Sequence, residues 1–345
     1  MKTIIADKIG SASSPLRPQK EVLCIDRNGY PEAGDVVLVR ALTESVTYGN
    51  IELPTGRLAK INSGDILMGV LGRRRALKGF VGDVPAICGA GDKLHLLNMG
   101  AVIGVCSGHH SSLSDAIQVE VLGFACDDSG QVQNIKQAAL PKTEELHRTA
   151  PLILIAGSCM NSGKTVAAAE IIKQAHHAGL KVAAGKLSGI AALRDTLNMV
   201  DHGAILTASF LDCGMPSTVG CDDLAPMARS IVNHLNAAEP DLIVLELGDG
   251  IVGGYSVESI LRARDIIDAT ASFVFCAPDY VGVIGGRTVL AEFGITIDVV
   301  AGSVTDSQMG EDFVRERLGL TAGNARRDGR RLFHLVDPFV RQAAA

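Results

Sequence analysis

The residues that most constrain this chain run from Leu152 to Thr165, Leu-Ile-Leu-Ile-Ala-Gly-Ser-Cys-Met-Asn-Ser-Gly-Lys-Thr. An unbroken apolar run, a short loop between glycines, and Gly163-Lys164-Thr165 opening an alanine-rich stretch read as strand, loop and helix. Backbone N–H groups of such a loop and of the helix N-terminus converge on one point, the lysine charge reaches it, and the threonine hydroxyl can join a Mg²⁺ ion there. The pattern therefore suits phosphate. The common form of this loop has four residues between its first Gly and Gly-Lys; here Gly157 and Gly163 enclose five. An ordinary turn with a surface lysine is the competing reading, and the strand before and helix after weigh against it.

The chain beyond that loop alternates in the same way. Strand-like runs at 152–156, 181–185, 242–246, 273–277, 297–301 and 332–336 are separated by helical stretches at 164–178, 223–237, 257–269, 285–293 and 311–318. That alternation predicts a doubly wound, mostly parallel α/β sheet over residues 151–345. The preceding part differs: short β-like runs at 21–25, 35–41, 65–71, 101–106 and 117–122 are divided by turn signals such as Asn28-Gly29 and Ser63-Gly64. With no convincing amphipathic helix among them, residues 1–135 are expected to form a small all-β barrel or sandwich. The polar stretch 136–150 reads as a linker. A length of 345 residues accommodates two domains.

Composition narrows the functional classes. With 47% apolar and 20% charged residues the chain is globular, and a net charge of −6 argues against nucleic acid or an anionic membrane as the principal partner. The expected partner is a small-molecule substrate. Eight cysteines without a Cys-x-x-Cys pair fit reduced thiols. The N-terminus meets charge at Lys2 and lacks a signal-like apolar stretch, and no 18-residue apolar run occurs, so a cytoplasmic protein is expected.

The five-residue spacing has a parallel. Gly157-Ser-Cys-Met-Asn-Ser-Gly-Lys-Thr-Val166 resembles the phosphate loop of dethiobiotin synthetase and its relatives, within the P-loop class that includes the ParA/MinD ATPases and the molybdopterin-guanine dinucleotide biosynthesis protein. Val182-Ala-Ala-Gly-Lys-Leu-Ser-Gly189 is similar to that family's second-strand segment, and Asp241-Leu-Ile-Val-Leu-Glu-Leu-Gly-Asp-Gly250 to its strand ending in an acid before glycines. The resemblance covers about 151–302. It implies nucleotide binding by Gly157, Ser158, Cys159, Asn161, Ser162, Gly163, Lys164, Thr165 and Val166, and catalytic roles for Lys164 and Lys186. It also implies Mg²⁺ held by Thr165, Glu246 and an acid after the second strand, for which Asp201 is preferred to Asp195. Independently of it, a carboxylate at the C-terminal end of a parallel strand lies at the ligand edge of such a sheet, which favours Glu246; Asp249 is a weaker second candidate.

The implied activity is ATP-dependent activation of a carboxylate or carbamate on a small molecule. The alternative is a nucleotide-dependent adaptor or switch using GTP or ATP. No Asn/Thr-Lys-x-Asp guanine signature is evident, which tilts the reading toward ATP. The β domain is expected to close the substrate site or build a homodimer.

Other features invite chemistry with weaker support. His95, Cys106 and His109-His110 could form a metal site, but no recognised ligand spacing completes the set. Arg73-Arg74-Arg75 could hold an anion, although adjacent β residues cannot share a face, so a solvated edge is expected. His176-His177 suits a helix C-terminus closed by Gly179. Cys159 could be an activated thiol or a tolerated small residue. Pro278 and Asp279 could approach a nucleotide base, and Gly285-Gly286-Arg287-Thr288 an anion.

Overall fold

The computed structural model describes residues 1–339. The chain divides into two compact units, one made of Met1–Pro141 with Ile190–Arg194 and Phe210–Val219, the other of Lys142–Gly189, Asp195–Ser209 and the chain from Gly220 on.

In the first unit, strands Val36–Ala41, Ile66–Leu71, Val102–His109, Lys93–Leu96 and Gln118–Ala125 pair successively, and the last pairs back with the first. That closes a five-stranded ring, so of the two expected β architectures the barrel is the one formed. All pairs are antiparallel except Ile66–Leu71 with Val102–His109. Alternate residues fill the interior: Val37, Val39 and Ala41, then Leu67 and Leu71, Leu94 and Leu96, and Val119 and Val121. Strands Lys2–Ile5 and Glu21–Ile25 extend the sheet beyond Gln118–Ala125.

The two later excursions are pinned in this unit by backbone groups. The Leu193 N–H donates to Glu52 at 2.7 Å, Asn98 donates to the Ala191 carbonyl at 2.7 Å, and the Ala191 N–H donates to the Pro216 carbonyl at 2.9 Å. The segment read as a linker is anchored too. Asn134 caps the 3₁₀ turn Ile135–Ala138, and His147 and Ala150 donate backbone N–H bonds to Asn233 and Asn236. Arg74 departs from the solvated edge expected of it: it is buried, bonded to Tyr48 Oη and the Leu97 carbonyl, with its guanidinium 4.9 Å from the Tyr48 ring centroid.

In the second unit the elements are β1 (Leu152–Gly157), α1 (Lys164–His177), β2 (Val182–Lys186), α2 (Arg194–Asp201), β3 (Ala204–Ser209), α3 (Ala225–Asn236), β4 (Leu242–Glu246), α4 (Val257–Arg262), α5 (Arg264–Asp268), β5 (Thr270–Cys276), α6 (Tyr280–Glu292), β6 (Val299–Ala301), α7 (Gln308–Asp312) and α8 (Gly329–Val336). The sheet order is β3-β2-β4-β1-β5-β6 and every pair is parallel. Helices cover both faces. Ile171, Ile172 and Ala175 of α1 join Leu332, Phe333 and Val336 of α8 over Ile153, Ile155 and Val244, while α3 and α6 lie against the opposite side at Gly185 and Phe275. Burial on both faces explains why β1 and β4 are apolar throughout until Glu246.

Three elements of this unit differ from the sequence expectation, one of them the helix α2, which lies outside the expected helical stretches. Residues 332–336 are helical rather than a strand, because the core-facing residues fall at 332, 333 and 336, a helical spacing, and Asp328 caps the helix by accepting the Arg331 N–H. Ala204–Ser209 is an additional strand at the sheet edge, and its Ile205 is exposed, which blurs the apolar signal.

Candidate functional site

The loop Ser158–Gly163 follows β1 at the centre of the sheet, and α1 leaves it directly. Its shape depends on conformations that side chains resist. Gly163 has φ +104°, and a Cβ there would approach Gly302 Cα to 2.8 Å. Gly302, with φ +86°, comes so close that its own Cβ would lie 2.1 Å from the Ser162 carbonyl oxygen. The turn after β6 thus buttresses this loop from outside, and the Ser303 N–H donates to that same carbonyl at 3.3 Å. Asn161 occupies the left-handed region at φ 60°, which asparagine tolerates.

Inside this loop lies Lys164. It is 5% exposed, and its Nζ donates to the Cys159 carbonyl at 2.8 Å and to Ser162 Oγ at 3.4 Å. Burial pushes its pKa down, while Glu246 nearby opposes that shift. A phosphate oxygen in the loop would give this ammonium an anionic partner in place of a carbonyl.

Thr165 and Glu246 form the second part of the site. Thr165 Oγ1 donates to Glu246 Oε1 at 2.9 Å, whereas Glu246 Oε2 is buried without a hydrogen-bond partner among the described residues. Burial raises the pKa of this carboxyl, with Lys186 and Lys164 opposing. A buried, unsatisfied carboxylate oxygen beside a threonine hydroxyl is the donor set expected of a hard cation such as Mg²⁺, and the residues fit that ion. The register explains the arrangement: Lys186 closes β2 directly beside Glu246 at the end of β4, and Ile155 of β1 lies on Glu246's other side.

Lys186 forms an ion pair with Asp195 at the start of α2, and both side chains are largely shielded. Asp195 also contributes to the field at Glu246. The structure therefore brings Asp195, not Asp201, to the cluster. Asp201 is exposed at the other end of α2, six residues or ~9 Å along a helix rising ~1.5 Å per residue. Ser188 donates to the Gly248 carbonyl at 3.0 Å, holding the loop after β2 on that after β4.

The remaining candidates sort by position. Gly157 ends β1, and Ser158, Cys159, Asn161, Ser162, Gly163 and Thr165 all belong to the loop or the first turn of α1. Val166 borders a small cavity of about 20 Å³ with Gly163, Ser303, Asp306, Asn324 and Arg326. Asn324 donates to Asp306 at 2.9 Å, a polar pair that no sequence motif marks. Asp279 caps α6 by accepting the Gly282 N–H at 2.7 Å. Gly285–Thr288 lies within α6, where Arg287 donates to the Leu318 carbonyl, so this segment presents helix interior instead of an anion loop. His176 and His177 end α1 as expected, with Gly179 at φ +86°. Among the described residues no group of three or more His, Cys, Asp or Glu side chains could hold a metal ion; His95 Nδ1 accepts the Cys106 N–H, and His109 Nε2 faces Asp115. No helix among them is long and apolar enough to cross a membrane.

No family model matches the chain, and neither does any curated protein. Solved structures with partial likeness include chloroplast FtsY from Physcomitrella patens, at 14% identity over 59% of this chain and 70% of that one, TM-score 0.39. The signal recognition particle receptor FtsY from Elizabethkingia anophelis matches at 15% over 59% and 60%, TM-score 0.32. The signal recognition particle 54 kDa protein from Aeropyrum pernix K1, in complex with GDP, matches at 15% over 61% and 53%, TM-score 0.37. Likeness of this degree is too loose to assign the chain to any of these groups.

Proposed function

We propose that the α/β unit binds the phosphates of ATP or GTP together with Mg²⁺ and works as a nucleotide-dependent switch with slow hydrolysis. The observation that carries this reading is the Thr165–Glu246 pair with its unsatisfied Oε2, set beside a buried lysine already folded onto its own loop. Thr165 and Glu246 would hold the ion, which supplies charge neutralisation at the terminal phosphates when bound. Lys164 would exchange the Cys159 carbonyl for phosphate oxygens, and the loop N–H groups would donate to the same anion.

A switch is favoured over a carboxylate-activating ligase because Lys186 is paired with the first turn of α2. A terminal phosphate drawing on Lys186 would loosen its hold on Asp195. Any shift there passes along the chain to Arg194 and Leu193, whose N–H is fixed to Glu52. Binding energy at the phosphate end thereby has a covalent route to a segment of the β unit.

The test is calorimetric titration of the full chain with ATP and GTP, with and without Mg²⁺, for the wild type and Lys164→Ala, with phosphate release measured in parallel. Mg²⁺-dependent binding of one nucleotide, lost in Lys164→Ala and accompanied by slow phosphate release, supports the reading. Absence of binding by the wild type overturns it, and fast turnover only when a carboxylate substrate is supplied restores the ligase.

A further inference from the structure

A second cavity, of about 530 Å³, lies on the β unit and has no part in the phosphate site. Its size falls within the ~300–1,000 Å³ of small-molecule sites. The barrel's alternation builds its wall. Leu94 and Leu96 fill the barrel interior, so His95 between them faces outward, and it sits directly opposite Gln118 on the neighbouring strand. Val119 and Ile117 turn inward on either side of Gln118. Cys106, two residues beyond Gly104, which pairs with His95, comes round from the other neighbouring strand. The loop carrying His109 and Asp115, and Glu44 opposite, complete the lining.

The hydrogen bonds fix what these groups can offer. His95 Nδ1 accepts the Cys106 N–H at 3.3 Å, so the neutral ring carries its proton on Nε2. Nε2 has no partner among the described residues and is a free donor. Burial lowers the His95 pKa and keeps the ring neutral. His109 is the opposite case. Its Nδ1 faces the His110 carbonyl and its Nε2 the Asp115 carboxylate, both at 3.1 Å; both partners accept only, so both ring nitrogens carry protons. Edge-on packing against Phe80, with centroids 6.0 Å apart, holds that ring in place. Within the lining Glu44 and Asp115 are negative and His109 positive, and Lys60, outside it, faces Glu44 at 3.5 Å; the lining itself has an excess of one negative charge beside a neutral donor and the Gln118 amide.

We propose that this cavity binds a small molecule carrying both a protonated amine and a carboxylate or carbonyl oxygen, the chemistry of an amino acid or the N-terminal end of a short peptide. The amine is drawn to Asp115 and Glu44, and the oxygen accepts from His95 Nε2–H and the Gln118 amide. An amine alone or a carboxylate alone meets only half of these groups. A metal ion does not account for a cavity of this size, and no group of three or more His, Cys, Asp or Glu side chains that could hold one lies among the described residues.

The experiment is saturation-transfer NMR and calorimetry on the full-length protein with free amino acids, dipeptides, and for each binder its decarboxylated amine and its deaminated acid. The wild type should bind at least one amino acid or dipeptide at least tenfold more tightly than either half-molecule. His95→Phe, which keeps the ring's bulk but removes the donor, should weaken that ligand at least tenfold. Asp115→Asn, at a side chain that is 98% exposed and tolerant of change, should weaken it severalfold. Thermal melting matched to the wild type establishes that the variants fold. No binding by any zwitterion, equal binding of the half-molecules, or unchanged affinity in both variants overturns the proposal.

Discussion

Glu246 concentrates the energetic conflict at the site. Its side chain is buried with one oxygen satisfied by Thr165 and the other by nothing, and burial raises its pKa. A folded-state pKa above the unfolded one means that ionising this group costs stability, a cost absent at low pH and growing as pH rises past the unfolded value. Glu246→Gln removes the charge while keeping the shape. The free protein should become more stable at pH 8, by about 1 kcal/mol on the scale of one buried unsatisfied group, and Mg²⁺-dependent nucleotide binding should be lost. Melting curves and titrations on the same samples check both halves; a variant that is less stable and still binds Mg²⁺ nucleotide contradicts this account. Because protons compete with the ion for this carboxylate, Mg²⁺-dependent affinity should rise with pH through a range above that of an ordinary glutamate, and proton release on binding should be detectable by calorimetry in buffers of different ionisation enthalpy. At this scale the loop residues and Glu246 were legible in sequence, because a glycine-bounded loop and a strand-end acid mark themselves locally. The choice of Asp195 over Asp201 was not, since only the fold of the β2–α2 connection sets Asp195 against Lys186.

At the scale of elements, the loop between β1 and α1 is held by what packs on it as much as by its own residues. Gly302, after β6, is 139 positions after Gly163 in sequence, yet its Cβ would collide with the Ser162 carbonyl. Gly302→Ala, at φ +86° and with backbone in the way, should displace either the loop or β6. Nucleotide affinity should fall at least tenfold while the barrel is unaffected, which titration together with near-UV circular dichroism would register; unchanged affinity would show that the buttress is dispensable. Gly286 in α6 tests packing alone, since a methyl there would fall 2.1 Å from the Phe275 ring. Gly286→Ala should cost about 1–3 kcal/mol in urea denaturation, the usual range for overpacking a core, with the loop geometry untouched. The parallel sheet was readable because β1 and β4 are continuously apolar. The α8 helix was not, because eight residues are too few to separate a helical spacing from a strand without seeing that Leu332, Phe333 and Val336 share one face over α1.

For the whole molecule, the division into two units with separate cores predicts how it melts. The barrel core around Val37, Leu67 and Val119 and the sheet core around Ile153, Ile171 and Val244 have no residue in common, so unfolding should not be two-state. Differential scanning calorimetry should resolve two transitions, and ATP or GTP with Mg²⁺ should raise the one belonging to the α/β unit. At a free ligand concentration 100 times Kd the added stability is about 2.7 kcal/mol, and Lys164→Ala should abolish the shift without moving the other transition. A zwitterionic ligand of the β cavity should raise the other transition instead, and His95→Phe should remove that response alone. The excursions Ile190–Arg194 and Phe210–Val219 complicate this picture in an informative way, because each is flanked by the α/β unit in sequence yet has its backbone bonds to Asn98, Glu52 and Leu140 in the β unit. Unfolding of either unit pulls on those segments. If they transmit the occupancy of the loop between β1 and α1, nucleotide should also raise the barrel transition by a smaller amount, and removing the acceptor of the Leu193 N–H with Glu52→Leu should reduce that second shift while leaving the first in place. Two shifts that survive Glu52→Leu undiminished would mean that the chain crossing carries no signal and that the β unit responds only to its own ligand.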